Sequence, residues 1–424
     1  MSDHSNKNLV KLHISQLKLG MYVSELDISW LETHFEVQGI LISSQKDIDA
    51  IANYAVFVWV DPLKAAPLVK QSLLGIEPKG VAAPIKQRTR SEQKAIKPRT
   101  SYANLKPAAQ EHQIARNLYD QGKTAIKNIL IKVAGNDEVA IEDARAVVNG
   151  CMESVIRNPD ALMWMSKIRE QDEYTAEHCL NVCILAMVFG RHLGLSETEI
   201  VRLGLCGLLH DVGKMKMPSE ILNKPAKLSV EEFNIIKAHT LSGYNLLKNS
   251  AQLIPPVVAE TAKSHHEQMD GSGYPAGIMA GNLDAMVRMI SLVDAYDAMT
   301  SNRCYSKGKS NTEALKLIYE QKGKQFDEEL ALEFIRCIGI YPAGTLVQLL
   351  NGAVGVVIEI NQKYRHLPKV LIVRDAEGNK VAPHILNLIE IESGELSSEH
   401  LVRCTLQTGS FGIDVSKYIV SSSS

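Results

Sequence analysis

Aromatic side chains make up only 5% of this 424-residue chain, and no apolar run comes near the width of a bilayer. The longest runs, such as Ala55-Val56-Phe57-Val58-Trp59-Val60, fall far short of the roughly 20 residues a membrane-spanning helix needs. The polar start Met1-Ser2-Asp3-His4 has no signal-peptide core, so a cytoplasmic protein with no membrane span is expected. Cysteine is sparse as well: the seven thiols, an odd number, never fall in a Cys-x-x-Cys spacing. That argues against a disulfide framework and for reduced, mostly buried thiols. A formal net charge of −2 supplies no global attraction to duplex nucleic acid or to a membrane surface. What is present, 45% hydrophobic and 22% charged residues, is the composition of a globular protein of two or three domains.

Periodicity divides the chain into four stretches and predicts a multidomain, mainly α protein. Residues 1–61 read as a small α+β module, a regulatory candidate, with strand-like runs over 21–26, 35–42 and 55–60 and a helix over 47–55. Residues 62–106 shift to Lys, Arg, Pro and Gln, with Lys86, Arg88, Arg90, Lys94, Lys97 and Arg99 almost free of acidic partners. Without interleaved aromatics this is a flexible basic tether rather than a nucleic-acid surface. Residues 107–340 are helical. Ser196-x-x-Glu199 is a capping box opening an apolar helix that runs to His210-Asp211 and ends at Gly213. Ser229-x-x-Glu232 repeats the device ahead of His239, and Pro255-Pro256 opens a helix with His265-His266 at its far end. A last helix from about Leu283 carries Asp294 and Asp297 on one face. Residues 341–424 form a β-rich extension, with strands over 345–350, 354–360 and 369–374 and turns at Asn351-Gly352 and Glu377-Gly378-Asn379.

The ligand-type residues of the helical stretch are His178, His210, Asp211, His239, His265, His266 and Asp294. Five imidazoles and two carboxylates without a cysteine suit a mixed nitrogen and oxygen site for more than one ion, iron(II) or manganese(II) rather than a structural zinc. A bare carboxylate at the end of a buried helix is costly, so Asp211 asks for a cation. Neighbours on a helix point about 100° apart, which lets His210 serve one ion while Asp211 lies between two. His178 and Asp294 then go with the first ion, and His239, His265 and His266 with the second. Paired ions stabilise the oxygens of an in-line displacement, so phosphoester hydrolysis is the natural use. Lys214 and Arg303 suit phosphate charge, and Tyr274, in the loop Gly271-Ser272-Gly273-Tyr274-Pro275, offers a ring and a hydroxyl to a nucleotide. Duller roles compete. His192 and His384 read as filler, Cys179 and Cys183 as small buried hydrophobes, Lys214 as a charge at a helix C-terminus, and Arg303 as a partner for Asp297.

The runs Leu208-Leu209-His210-Asp211-Val212-Gly213-Lys214, Ile221-Leu222-Asn223-Lys224-Pro225, His265-His266-Glu267-x-x-Asp270-Gly271-Ser272-Gly273-Tyr274-Pro275 and Asp294-x-x-Asp297-Ala298-Met299-Thr300-Ser301-x-Arg303 closely resemble the HD-GYP family. That family is a bacterial subgroup of the HD metal-dependent phosphohydrolases. The resemblance spans about residues 165–335 and implies an all-helical domain with a metal centre. It implies hydrolysis of a 3′,5′-cyclic dinucleotide, cyclic di-GMP or cyclic GMP-AMP, to the linear 5′-phosphorylated dinucleotide by a metal-bridged hydroxide. It further implies that the seven residues above are metal ligands, that Asp211 and Lys214 are catalytic, and that Lys214, Tyr274, Arg303 and Lys307 contact substrate. Residues 10–61 resemble a module of unknown function that often precedes such domains, and the tail from Tyr341 resembles an extension that follows them. Members with three metals carry a glutamate one turn before the first histidine; here Tyr174 stands there, so two divalent ions, iron or manganese, are expected. Many members have Arg-Pro-Tyr-Arg where this chain has Arg303-Cys304-Tyr305-Ser306, one positive charge fewer near the phosphates. The alternative is a catalytically weak cyclic-dinucleotide receptor that signals through protein partners, and either role leaves room for a homodimer. The intact ligand set favours the enzyme.

Overall fold

A computed structural model describes residues 10–26, 40–42, 44–52, 54–55, 57–61, 100–167, 174–222, 224, 226–250, 254–301, 308–361, 364–407 and 409–418. The chain separates into two compact units, Met1–Lys97 and Pro98–Ser424. In the first, β1 (Val10–His13), β2 (Tyr22–Leu26), β3 (Ile40–Leu41) and β4 (Phe57–Val60) pair antiparallel in the order β1-β4-β2-β3. Strand β4 shows the expected period of two: Phe57 is exposed while Val58 and Val60 are buried. Helix α1 (Gln45–Ala52) starts where Asp47 accepts the Ser44 N–H at 2.8 Å, and its Ile51 joins Val23, Leu26 and Ile42 in a small core. The sequence reading missed β1. Most of its long strand over 35–42, and the tether over 62–99, lie outside the described residues.

The second unit is built on helices α2 (Ala108–Ala134), α3 (Ile141–Arg157), α4 (Pro159–Met165), α5 (Tyr174–His192) and α6 (Glu197–Leu209). Helix α5 is buried on every side and almost wholly apolar from Cys179 and Leu180 to Phe189, Asn181 being the polar exception, and such a helix must be surrounded. It crosses α6 closely because Gly207 has no side chain; a Cβ there would stand 2.9 Å from the Cys183 backbone. Helices α7 (Ser219–Leu222), α8 (Val230–Lys237), α9 (His239–Lys248), α10 (Pro256–Ser264), α11 (Ala285–Thr300), α12 (Asn311–Glu320) and α13 (Glu328–Ile338) complete this layer.

The capping boxes at Ser196 and Ser229 are both formed, but the helices they open end sooner than expected. Helix α6 stops at Leu209, not Gly213: Asp211 has left helical geometry, with φ −104° and ψ 9°, and a 3-10 turn, Val212–Lys216, follows. Helix α8 stops at Lys237, so His239 opens a new helix instead of closing the old one.

Strands β5 (Leu346–Leu349), β6 (Val354–Glu359), β7 (Lys369–Arg374), β8 (Lys380–Asn387) and β9 (Val402–Leu406) form an antiparallel sheet ordered β8-β7-β6-β5-β9, with a short helix α14 (Glu390–Ser393) before β9. Strands β6 and β7 are apolar on both faces. Val354, Val356, Leu371 and Val373 face the helical core, while Val357, Val370 and Ile372 close a second core with Val347 and Leu349. The sheet therefore shares its interior with the helices. Among the described residues no helix is long and apolar enough to cross a membrane. Cys151, Cys179, Cys183, Cys206 and Cys337 are buried free thiols, and Cys404 is an exposed one.

Candidate metal centre

The ends of helices, rather than their middles, deliver most of the site. His178 lies in the first turns of α5, His210 and Asp211 follow α6, His239 begins α9, His265 and His266 follow α10, and Asp294 projects from α11. Gly213 locks two of these places together. A Cβ on it would lie 2.0 Å from the His239 carbonyl oxygen and 2.4 Å from Gly243 N, so the turn after Asp211 rests directly on the first turn of α9.

Asp211 stands at the centre, and its two oxygens face different partners. Oδ2 lies 3.2 Å from His210 Nε2 and 3.6 Å from His178 Nε2, whereas Oδ1 lies 3.4 Å from His239 Nε2 and 3.7 Å from His265 Nε2. Asp294 Oδ1 sits on the first side, 3.1 Å from His178 Nε2 and 3.8 Å from His210 Nε2. His266 sits on the second, grouped with Asp211, His239 and His265 so that their ligand atoms fall within 4.8 Å of one another. All seven residues singled out in the sequence are thus in one cluster.

The hydrogen bonds behind the rings set their tautomers. Carbonyl oxygens only accept, so Nδ1–H must donate from His210 to Gly207 O at 2.7 Å, from His239 to Ile236 O at 2.6 Å, and from His265 to Thr261 O and Ala262 O, both at 3.1 Å. In each neutral ring the Nε2 lone pair then points inward. Burial keeps His239, His265 and His266 neutral: it lowers His239, lowers His265 well below the usual imidazole range, and brings His266 to about 4. Burial alone would raise the Asp211 carboxyl, but the Lys214 ammonium beside it holds it well below the usual carboxylate range. Asp294 is also lowered, burial being outweighed by the hydrogen bond from His178. His178 differs. Burial pulls it down, yet the Asp294 and Asp297 carboxylates raise it to about 9, so a proton is held where two anionic groups call for a cation.

Whether divalent ions fit can be judged from what this arrangement leaves unpaired. His210 Nε2 and Asp211 Oδ1 are buried and make no hydrogen bond, a costly state for polar atoms. Inward lone pairs, ionised carboxylates and two orphaned donor atoms form a nitrogen and oxygen set that fits divalent first-row ions.

Several neighbours complete the site. Asp297 Oδ2 accepts from His178 Nδ1 at 2.8 Å and from Ser301 Oγ at 3.2 Å, orienting the ring. The sequence reading noted the Asp294-x-x-Asp297 spacing without assigning Asp297 this part. It also passed over Glu267, a buried carboxylate that accepts from Ala276 N at 2.7 Å and Ile278 N at 2.9 Å and so shapes the loop carrying Tyr274. The Tyr274 ring lies 4.7 Å from that of His266 and 6.1 Å from that of Phe233, with Lys237 Nζ 5.3 Å above it; burial raises its hydroxyl, which stays protonated. Lys214 Nζ is paired with Asp211 Oδ2. Arg303, Lys307 and Glu173, and the side chain of Tyr174, lie outside what is described.

Residues 159–330 match the family described as HD domain, and residues 9–144 match one described as a domain of unknown function, DUF3391. The second match extends beyond residue 61 into α3. The chain is 33% identical over 381 residues to a cyclic di-GMP phosphodiesterase of Pseudomonas aeruginosa, covering 88% of this chain and 87% of that protein. It is 36% identical to the cyclic di-GMP phosphodiesterase response regulator RpfG of Xanthomonas campestris, over 38% of this chain and 42% of that one. A 3′3′-cGAMP-specific phosphodiesterase of Vibrio cholerae is 35% identical over 37% of this chain and 36% of its own length.

Proposed function

Because this chain belongs to the HD-GYP family of cyclic-dinucleotide phosphodiesterases, we propose that it opens a 3′,5′-cyclic dinucleotide, cyclic di-GMP first, to the linear 5′-phosphorylated dinucleotide. The observation that carries this reading is Asp211, a buried carboxylate whose oxygens each face a separate set of imidazoles. One divalent ion would be held by His178, His210, Asp294 and Asp211 Oδ2, and a second by His239, His265, His266 and Asp211 Oδ1. Iron or manganese suits such donors. When bound, such ions supply Lewis acidity to phosphoryl oxygens and acidify water.

The side chains around the cluster divide the remaining work. Lys214, partly buried and paired with Asp211, places positive charge where a non-bridging phosphate oxygen gains it, which favours the more highly charged transition state. Tyr274, Phe233 and Lys237 form an aromatic and cationic wall beside His266, and a base can stack there. Arg303 and Lys307 are proposed to grip the second phosphate. The choice of cyclic di-GMP is supported by the relative that this chain matches over 88% of its length, whose name states that substrate.

The test is turnover. Full-length protein loaded anaerobically with iron(II) or manganese(II) should convert cyclic di-GMP to its linear form, and Asp211→Ala should abolish the conversion. Inactivity toward cyclic di-GMP and cyclic GMP-AMP alike, with metal content confirmed, would overturn the proposal. Tight binding without turnover would point to the receptor instead.

A further inference from the structure

At the opposite end of α5 from His178, a cavity of about 320 Å³ opens among residues the phosphodiesterase chemistry does not use. From 178 to 191 is 13 residues of helix, roughly 20 Å at 1.5 Å per residue. The walls come from residues 100–102, from α4 at Pro159, Asp160 and Met163, from the end of α5 with the turn after it, from Cys337 of α13, and from the sheet side at Ile360 and Arg365, all within the second unit. Residues 100–102 are strapped down, with Thr100 N donating to Gly194 O at 2.9 Å and the Tyr102 hydroxyl donating to Leu195 O at 2.8 Å.

Two guanidiniums line this cavity with unmet donors. Arg191 is only 8% exposed; its Nη2 donates to Ala103 O and Asn104 Oδ1, both at 3.0 Å, and its carbon end lies 5.7 Å from the Tyr102 ring. Its Nε, however, is buried without a hydrogen bond, and so is Nη1 of Arg365. Among the described residues no ion pair joins either arginine to a carboxylate. Asp160 also lines the cavity, and its Oδ2 accepts from Ile360 N at 2.9 Å. Buried charged donors with no acceptor are expensive, and here both line one polar space.

We propose that this cavity is a second ligand site, taking a small phosphate-bearing anion. Phosphate fits better than carboxylate because the free donors come from two separate elements. A tetrahedral group presents oxygens in both directions, whereas a planar carboxylate is matched to a single fork. A volume of about 320 Å³ is at the small end for ligand pockets, so a compact phosphate ester fits and a cyclic dinucleotide does not. The bound anion would tie residues 100–102, where the second unit begins, to both the helical core and the sheet.

Hydrogen exchange on the full-length, metal-loaded protein separates this site from the metal cluster. Inorganic phosphate and glycerol 3-phosphate should slow exchange at residues 100–105 saturably, at concentrations below about 10 mM. Arg365→Gln should weaken that protection about tenfold, as expected for one lost charge-assisted hydrogen bond, while turnover of cyclic di-GMP without added phosphate stays as in the unmodified chain. Arg191→Lys, which keeps charge but loses the fork, should weaken it as well in a protein of unchanged circular dichroism. Protection confined to the peptides carrying His210 and His265, or protection at 100–105 that survives both substitutions, would overturn the proposal. So would protection by malonate but not by phosphate.

Discussion

Asp211 and Asp297 show how single carboxylates do different work a few ångströms apart. Asp211 stays ionised although buried, because the Lys214 ammonium outweighs the loss of solvation, and it offers one oxygen to each half of the cluster. Asp297 acts through His178, fixing which ring nitrogen faces Asp294. Its replacement by asparagine keeps the shape but removes the charge that secures the ring. Asp297→Asn is therefore expected to lower metal affinity roughly 10–100-fold, the usual cost of losing such an outer partner, and competition with a chromogenic chelator would measure it. Unchanged affinity would mean that the 2.8 Å contact has no bearing on the site. Asp211 was legible in the sequence as a residue needing a cation. The part of Asp297 was not, because its spacing from Asp294 fixes only a shared helix face and not the ring that reaches it.

At the scale of elements, the site depends on where helices stop. Capping boxes at Ser196 and Ser229 could be read directly, since each is a contact over three residues. The stops could not. Leu209 ends α6 because the next residues turn onto α9, and that approach is possible only because Gly213 is bare. Gly213→Ala would place a methyl 2.0 Å from the His239 carbonyl and must push Asp211 and His239 apart. Misplacement of about 1 Å costs on the order of a hundredfold in rate, so turnover should fall by at least that much, with helix content by circular dichroism largely kept. Activity within a few-fold of the unmodified chain would show that the turn relaxes without moving the cluster.

For the whole molecule, two titrations report how its parts are held together. Ions bound only by the folded protein stabilise it, by about 4 kcal/mol when their free concentration is a thousandfold above Kd. Removing metal with a chelator should accordingly lower the unfolding temperature, and a metal-loaded protein whose melting ignores chelator would contradict the proposed centre. The second concerns Asp160, which links α4 to the sheet through the Ile360 N–H at 2.9 Å, with Glu359, Arg191 and Arg365 around it. Burial raises this acid from 3.8 to about 7, so the folded chain holds the proton more tightly than the unfolded one. Its contribution is complete below the unfolded value and is lost as pH rises toward the folded value. Asp160→Asn, neutral throughout, should match the unmodified chain near about pH 4 and exceed it above about pH 7, by up to roughly 4 kcal/mol; urea unfolding at both pH values would show it. The sequence by itself determined the residue types of the histidine and aspartate cluster, the capped helix starts and the strands β6 and β7, because capping and periodicity act within a turn or two of chain. Only the tertiary structure decided which oxygen of Asp211 faces which imidazole, that the C-terminal sheet shares the helical core, and that Arg191 and Arg365 line one cavity. Those relations join residues far apart in the chain, and they are set by how whole elements pack.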